Sequence, residues 1–546
     1  MSRSPQKIAL ILDSTILPAW KAETIRCILN IDSIQVTTLI VFDPAMAVRT
    51  GHSSPGFLYR LFRRIDDAKR VSPDAISLVD ISDMLEHINA DKVQLGSTGD
   101  PSQSVAESAE IQRFDAIVNL SSNECPGELA KTSRCGLWRI QHAFHSSESQ
   151  AACSVGTWEV IKGLPFTCSA LTVRTNDGHR EHVVSTTRSG VNRVSQSLTR
   201  NEHLWKLASL LPRALRRLGA GENILQTHCP IDSEMAFEEF RSSRRLTNVQ
   251  MFYPLSLYYV WRFFRKFLKK RFVDRWELFY HFGENAVDLR KLKQMSPPTN
   301  RFWADPHIIQ RDGRYYVFFE DADIFTGHGH IAVFEISSNG QISQPKPVLE
   351  RPYHLSYPFI FEWNDSLYMI PESAENQTIE VYQCQEFPYV WKHHANIMEG
   401  VSAYDSTLFE KDGVWWMFAN IKERDGASSW DELHLFYADH PLSANWTPHP
   451  KNPIVTDVSR ARPAGPMFYN NGRLIRPSQN SSNHYGYGLN MMEIQILTMT
   501  DYRERMVDQF LPEWSKSAQA IHSYSRSGDL TFVDAIWRNK RSTVTS

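Results

Sequence analysis

Asp305, Glu320, Glu372 and Asp405 are the residues whose types and spacing could do chemistry. Asp305 and Asp405 each open a segment of similar pattern, DPHIIQRDGRYYVFFED and DSTLFEKDGVWWMFANI. Glu320 ends the second half of the first segment, and Glu372 ends the counterpart in YPFIFEWNDSLYMIPES, which opens on Tyr357 and follows His354. A fourth copy, GPMFYNNGRLIRPSQN, starts at Gly465, contains Arg476 and Gln479, and follows Arg460 and Arg462. Carboxylates that converge on one place cannot all ionise. Some must hold a proton or face a cation, and this separates acid from base as glycoside chemistry requires. The same residue types also cap strands and turns, so the reading depends on what brings them together.

The repeat itself would do so. The four segments start 52, 48 and 60 residues apart, and each reads as a strand, a turn containing Asp-Gly, Asn-Asp or Asn-Gly, and an aromatic-rich strand. That is a hairpin signature recurring near the period of one β-propeller blade. About 250 residues at about 50 per blade predict five blades. The fifth, HSYSRSGDLTFVDAIW, has the turn and strands but lacks the opening motif. Innermost strands line the channel of a propeller, so the residues opening successive repeats meet there. Alternate aromatics of YYVFFE and WWMFA are expected between blades. In this reading Asp305, Glu372 and Asp405 are catalytic, and Trp303, Glu320, His354, Tyr357, Arg462, Arg476 and Gln479 bind substrate. The two arginines would meet an anionic group such as phosphate, and Trp303 and Tyr357 would offer stacking faces. No metal site is expected: His328 and His330 share one strand face without an evident third ligand.

The chain has 546 residues, enough for two to four domains, and its 42% hydrophobic and 22% charged residues are those of a globular protein. Fifty-nine Lys and Arg against 61 Asp and Glu give a net charge of -2, which argues against a broad grip on nucleic acid. The seven cysteines are scattered without CxxC spacing and fit reduced thiols in the cytoplasm. The N-terminal KIALILD reads as a buried strand and not as a signal peptide, and no apolar run is long enough to span a bilayer.

Residues 1–235 alternate apolar runs with helical patterns, as in KIALILD, Trp20 to Leu29, VTTLIVFD and FDAIVNL, which predicts an α/β domain with a parallel sheet. Leu204 to Leu218 is expected to be its last helix, capped by Gly219 and Gly221. A linker, 236–285, carries a basic aromatic helix in which Val260, Phe263, Phe264, Phe267 and Leu268 oppose six Lys and Arg between 262 and 271. Either its Phe stripe packs on a domain, or residues 255–272 lie on an anionic membrane surface, peripheral to the inner face of the membrane. The all-β propeller fills 286–546.

The runs NRFWADPHII, HLSYPFIFEW, SLYMIPES, AYDSTLFEKDGVWWMF and RARPAGPMFYNNGRLIRPSQN, followed by YGYGL, resemble the propeller at the N-terminus of plant glucosamine inositolphosphorylceramide transferases and bacterial relatives. More distantly, they resemble the five-bladed propellers of arabinofuranosidases, xylosidases and invertases. That resemblance implies Asp305 as base or nucleophile, Glu372 as general acid and Asp405 as the residue tuning the acid. Tyr357 and Pro358 stand where those hydrolases usually keep an acid. The sugar-transferring module of the plant proteins has no counterpart in this sequence.

In the first domain, DAIVNL, RCGLWRIQHAFHSS and GTWEVIKGLPFTCSALTVRTNDG resemble the formyltransferase fold. The resemblance implies a formyl site at His142 and Asp177. Ile140 replaces the Asn that would stabilise the oxyanion, so the resemblance implies a lost or altered activity.

The leading expectation is a transferase-like, carbohydrate-active protein that holds the sugar of a glycan or glycolipid in the propeller channel, with a nucleotide sugar as candidate donor. The alternatives are an N-formyltransferase acting on an amino sugar with 10-formyl-tetrahydrofolate, and a non-catalytic glycan-binding protein.

Overall fold

The computed structural model describes residues 4–42, 56–66, 71–88, 90–95, 114–122, 125, 127–143, 155–175, 181–224, 247–283, 288–337 and 340–540. It divides into two units, Met1–Tyr259 with Arg424–Ser428, and the remainder from Val260.

The first unit is built on a seven-stranded sheet in the order Asp91–Leu95, Ile34–Phe42, Gln6–Leu12, Ala116–Asn119, Leu137–His142, Phe166–Arg174, Glu181–Gly190. The first five strands run parallel, Phe166–Arg174 is antiparallel to its neighbours, and Glu181–Gly190 turns back again. The run KIALILD suits this position because both of its faces are covered. Ile8, Leu10 and Leu12 pack toward the helices Ala19–Leu29 and Leu210–Gly219, while Ala9 and Ile11 pack with Ile40, Ile117 and Leu129. Leu204 to Leu218 is divided between two helices, Gln196–Leu207 and Leu210–Gly219. Pro212 cannot donate to the Ala208 carbonyl, which permits it in a first turn and breaks a continuous helix. Gly221, at φ 84°, donates to the Leu218 carbonyl just beyond the second helix.

The basic aromatic segment forms the helix Asn248–Arg271. Among the described residues its Phe stripe is left exposed. Met251, Leu255 and Tyr258, on the opposite face, are the buried residues, clustered with Tyr59, Phe62 and Trp158. The strand Phe272–Phe282 follows directly and belongs to the propeller.

The second unit is a five-bladed propeller of four-stranded antiparallel sheets. Blades one to four begin with Arg301–Arg311, Ser356–Trp363, Ala403–Lys411 and Phe468–Asn470. Blade five is closed from both directions along the sequence, with Ala518–Ser527 and Leu530–Lys540 inside and Phe272–Phe282 and Lys293–Met295 outside. The first hairpins of blades one to four turn on Asp312-Gly313, Asn364-Asp365, Asp412-Gly413 and Asn471-Gly472, with positive φ at every one of these residues. This is the type I′ requirement, which the sequence meets with Asn, Asp and Gly. The paired aromatics all pack between blades, on alternate sides. Phe318 joins Ile360 and Trp391 of blade two, and Phe319 joins Leu278 and Phe532 of blade five.

Candidate functional site at the propeller axis

Four inner strands carry a β-bulge at the same place. Register shifts fall between Ala304 and His307, Ser356 and Phe359, Tyr404 and Thr407, and Ile521 and Tyr524. Asp305, Tyr357, Asp405 and His522 therefore occupy corresponding positions, and a bulge re-aims its side chain. Asp305, Tyr357 and Asp405 sit at φ of 52°, 45° and 54°, a left-handed conformation that costs an L-residue roughly 1–3 kcal/mol and persists where surroundings fix it. Blade four has Gly465 here, at φ 134°, and a Cβ would meet the Tyr524 carbonyl oxygen at 1.9 Å. Only glycine fits that approach. Glu320, Glu372, Asn420 and Gln479 are each the seventh residue of their second strand, and blade five adds Asp534 from Leu530–Lys540.

Two basic side chains organise the carboxylates. Arg462 donates from Nε to Asp405 Oδ2 at 2.6 Å and from Nη2 to Asp405 Oδ1 at 3.2 Å and Glu372 Oε2 at 3.1 Å. Gln479 Nε2 donates to Asp405 Oδ2 at 2.9 Å. The guanidinium lies 5.2 Å from the Tyr404 ring and 5.1 Å from the Tyr485 ring. His522 is the second organiser. Its Nδ1 is 2.7 Å from Asp534 Oδ1, its Nε2 faces Asp305 Oδ1 at 3.6 Å, and its ring stacks on Trp276 at 3.9 Å. Asp534 also accepts the backbone N–H of Asp305, at 2.9 Å, and of Ser523. Asp305 Oδ1 itself accepts no hydrogen bond. Asp305, Glu320, Asp405, Arg462, His522 and Asp534 are all buried, while Trp276, Tyr404, Trp430 and Tyr485 are half-buried.

Burial decides where the protons go. It pushes the Asp305 carboxyl up to about 7, with His522 opposing and Asp405 and Asp534 reinforcing the rise. Burial, then the Asp305 and Glu372 charges, raises Glu320 well above the usual carboxylate range. Burial raises Glu372 likewise, against the pull of Arg462 and with that of Asp405. Burial works against a charged His522, yet the Asp534 and Asp305 carboxylates hold its pKa above the ordinary value. Burial also opposes ionisation of Asp534, but His522 outweighs it and lowers that carboxyl. The site thus raises Glu320 and Glu372 well above the usual carboxylate range beside Asp305 near 7, while Asp534 is lowered, a separation of the kind that acid–base catalysis uses.

The expected residues are distributed unevenly. Asp305, Glu320, Glu372, Asp405, Arg462 and Gln479 come together. His354 Nε2 lies 3.5 Å from Glu320 at the edge of this cluster. Tyr357 holds the corresponding bulge, but its hydroxyl is engaged by Thr407 and the Gly465 N–H, so it braces blades and offers no open stacking face. Trp303 packs edge-on against Phe319 between blades one and five. Arg462 spends its charge inside the cluster rather than on a phosphate. Arg476 is bound by Glu504, Nε to Oε2 and Nη2 to Oε1 both at 2.9 Å. A buried acid on the next strand but one claimed it, and hairpin spacing does not reveal such a partner. His522, Asp534, Trp276, Tyr404 and Tyr485 were not expected. His522-Ser523 does align with Asp305-Pro306, Tyr357-Pro358, Asp405-Ser406 and Gly465-Pro466, so the fifth repeat has an opening residue after all.

Asp305, His522 and Asp534 present potential metal ligand atoms within 4.8 Å of one another, as do Glu423, Glu432 and His434. The first trio is better described as a proton-holding chain, because Asp534 already accepts N–H donors on both oxygens.

In the first unit, His142 ends the strand Leu137–His142. Its Nδ1 is 2.8 Å from Ser169 Oγ, which is 2.7 Å from His203 Nε2, and His203 Nδ1 is 3.0 Å from Ser189 Oγ. Asp177 lies outside the described residues.

Residues 284–533 match the family described as "Glucosamine inositolphosphorylceramide transferase 1, N-terminal". The rice (Oryza sativa subsp. japonica) protein glucosamine inositolphosphorylceramide transferase 1 is 33% identical over 226 residues, covering 41% of this chain and 30% of the rice protein. Its Arabidopsis thaliana counterpart is 32% identical over 210 residues, covering 38% of this chain and 27% of that protein. The chain thus spans less than a third of the length of these curated plant relatives. Solved structures with a partial likeness include a family 117 glycoside hydrolase of Zobellia galactanivorans (TM-score 0.32, 11% identity, 48% of this chain and 90% of that one). Another is the catalytic domain of a GH62 α-L-arabinofuranosidase of Coprinopsis cinerea (TM-score 0.33, 10% identity, 48% and 96%). The propeller is therefore the part of the chain that is similar to the N-terminal region of the plant glucosamine inositolphosphorylceramide transferases.

Proposed function

We propose that this is a carbohydrate-active enzyme, a transferase or glycan-processing protein, which holds the sugar of a glycan or glycolipid at the propeller axis. The observation that carries this reading is the separation of acid from base in one buried cluster. Glu372, raised by burial well above the usual carboxylate range, is the proton donor. Asp305, with an unengaged Oδ1 and a pKa near 7, is the base or nucleophile. Asp405, locked by Arg462 and Gln479, sets the field at Glu372. The half-buried rings of Trp276, Tyr404 and Tyr485 suit the apolar face of a sugar. The names of the plant relatives support a phosphorylated inositol lipid as acceptor class, and a nucleotide sugar as donor would fit a transferase.

The test is mass spectrometry of co-purified ligand, followed by turnover of that ligand by the unaltered chain, Asp305→Asn and Glu372→Gln. Loss of turnover by about 100-fold or more in each variant, with ligand still bound, is the expected result. Unchanged turnover sinks the assignment. Binding that survives neutralisation of Asp305, Glu372 and Asp405 together, with no turnover of any donor, would make the propeller a glycan-binding module.

A second reading, formyl transfer to an amino sugar by the first unit, is favoured by one observation: Ser169 and His203 fix the ring of His142 as a working histidine needs. Calorimetry with a 10-formyl-tetrahydrofolate analogue tests it, and absence of binding removes it.

A further inference from the structure

We propose that the helix Asn248–Arg271 docks on an anionic lipid bilayer, lying in its interface. This goes beyond the carbohydrate reading and does not depend on it. On a helical projection Val249, Phe252, Tyr253, Leu257, Val260, Phe263, Phe264, Phe267 and Leu268 fall within one stripe less than half the circumference wide. Every one of them is exposed, Phe252 at 67% and Phe263 at 71%. The stripe runs unbroken for about 30 Å at 1.5 Å per residue. Met251, Leu255 and Tyr258 on the far side are the buried contacts, so the Phe face is not what holds the helix in place.

The neighbouring helix repeats the design. Its start is tied to the longer helix by the Leu58 N–H donating to Asn248 Oδ1 at 2.9 Å, and Phe62 meets Tyr258 edge-on at 5.9 Å. Tyr59 and Phe62 are turned inward, whereas Phe57, Leu61 and Ile65, spaced i, i+4, i+8, are exposed. Arg60 and Arg64 share that outer side. The one acid of this helix, Asp66, is buried and accepts from the Ser197 N–H and hydroxyl. The longer helix has no acid at all and carries Arg262, Arg265, Lys266, Lys269, Lys270 and Arg271.

Charge selects the occupant. A second copy would bring the same cations against these, whereas anionic headgroups complement them while acyl chains receive the Phe stripe. Tyr259 and Trp261, exposed beside the stripe, are residue types that settle at headgroup depth. No helix among the described residues is long and apolar enough to cross a membrane, in keeping with a helix that lies on the surface.

The full chain should float with phosphatidylcholine vesicles containing one-third phosphatidylserine and stay behind with phosphatidylcholine alone. Salt near 1 M, where the Debye length is about 3 Å, should release it. Phe263→Ser with Phe267→Ser, and Lys266→Glu with Lys269→Glu, should each weaken binding about tenfold or more. Both pairs include exposed positions only, and an unchanged thermal transition shows that the variants are folded. Failure to bind either vesicle, or binding that neither pair weakens, overturns the proposal. So does a dimer in solution that the Phe263→Ser, Phe267→Ser pair converts to monomer.

Discussion

The propeller axis and the histidine–serine chain of the α/β unit are both buried polar networks, and they are built in opposite ways. At the axis Asp305, Glu320, Glu372, Asp405 and Asp534 outnumber the basic side chains Arg462 and His522, and the imbalance appears as carboxyls displaced from their ordinary pKa. In the α/β unit His142, Ser169, His203 and Ser189 pass from one to the next at 2.7 to 3.0 Å, with each ring nitrogen named here facing a hydroxyl. A chain of histidine–serine hydrogen bonds stiffens a fold. A network with surplus buried acid stores electrostatic conflict that a fold alone does not need, and such conflict gathers at sites of chemistry. The contrast is therefore evidence about which unit works on protons.

It can be broken by removing one member from each network. Arg462→Met leaves Asp405 and Glu372 buried without their common cation, and losing one partner of a buried pair costs about 3–5 kcal/mol. In the calorimeter the propeller transition should fall by roughly 10 °C or more. Ser169→Ala leaves two imidazole nitrogens short of one neutral partner, a loss of about 1–3 kcal/mol. That is smaller, and it should not alter turnover of a ligand held at the axis. Equal losses in the two variants would mean that Arg462 is not the keystone of the charged cluster.

The same contrast explains what the sequence disclosed. The repeat exposed the blades because the hairpin turns demand Asn, Asp and Gly at positive φ, a local requirement that every copy must meet. It also located Asp305, Tyr357 and Asp405, since the bulge recurs at a fixed distance from the turn. The partners of these residues were harder to see. Arg462 precedes the fourth repeat and Arg476 lies within it, and nothing local indicates that Glu504 takes one while Asp405 and Glu372 take the other. Trp276 lies nearly 250 residues before His522 along the chain, and only closure of blade five by strands from both sides stacks them. Short-range chemistry was legible, and pairing across the ring was not. The Phe stripe shows the converse: its amphipathic pattern was plain, but only the fold reveals that Met251, Leu255 and Tyr258 are the packed side.

The smallest effect sharpens the comparison most, because it reads charge and not packing. Asp305 is raised from near 4 to about 7, so the folded state binds a proton that the unfolded state has released. Its contribution to stability is complete below the unfolded value and is lost as pH rises through about 7. Glu320, Glu372 and His522, all raised, act in the same direction. Asp534 is lowered and loses its contribution only as pH falls below the ordinary carboxylate range. Between pH 5 and 8 the propeller transition should therefore drop by a few degrees. Asp305→Asn should reduce that slope because the amide carries no proton to lose, while Ser169→Ala should leave it intact. A slope that persists undiminished in Asp305→Asn would move the titration to Glu320, Glu372 or His522 and reassign the base; a slope absent from the unaltered chain would mean that the axial carboxyls bind no more protons in the folded state than in the unfolded one, and the separation of acid from base would fall.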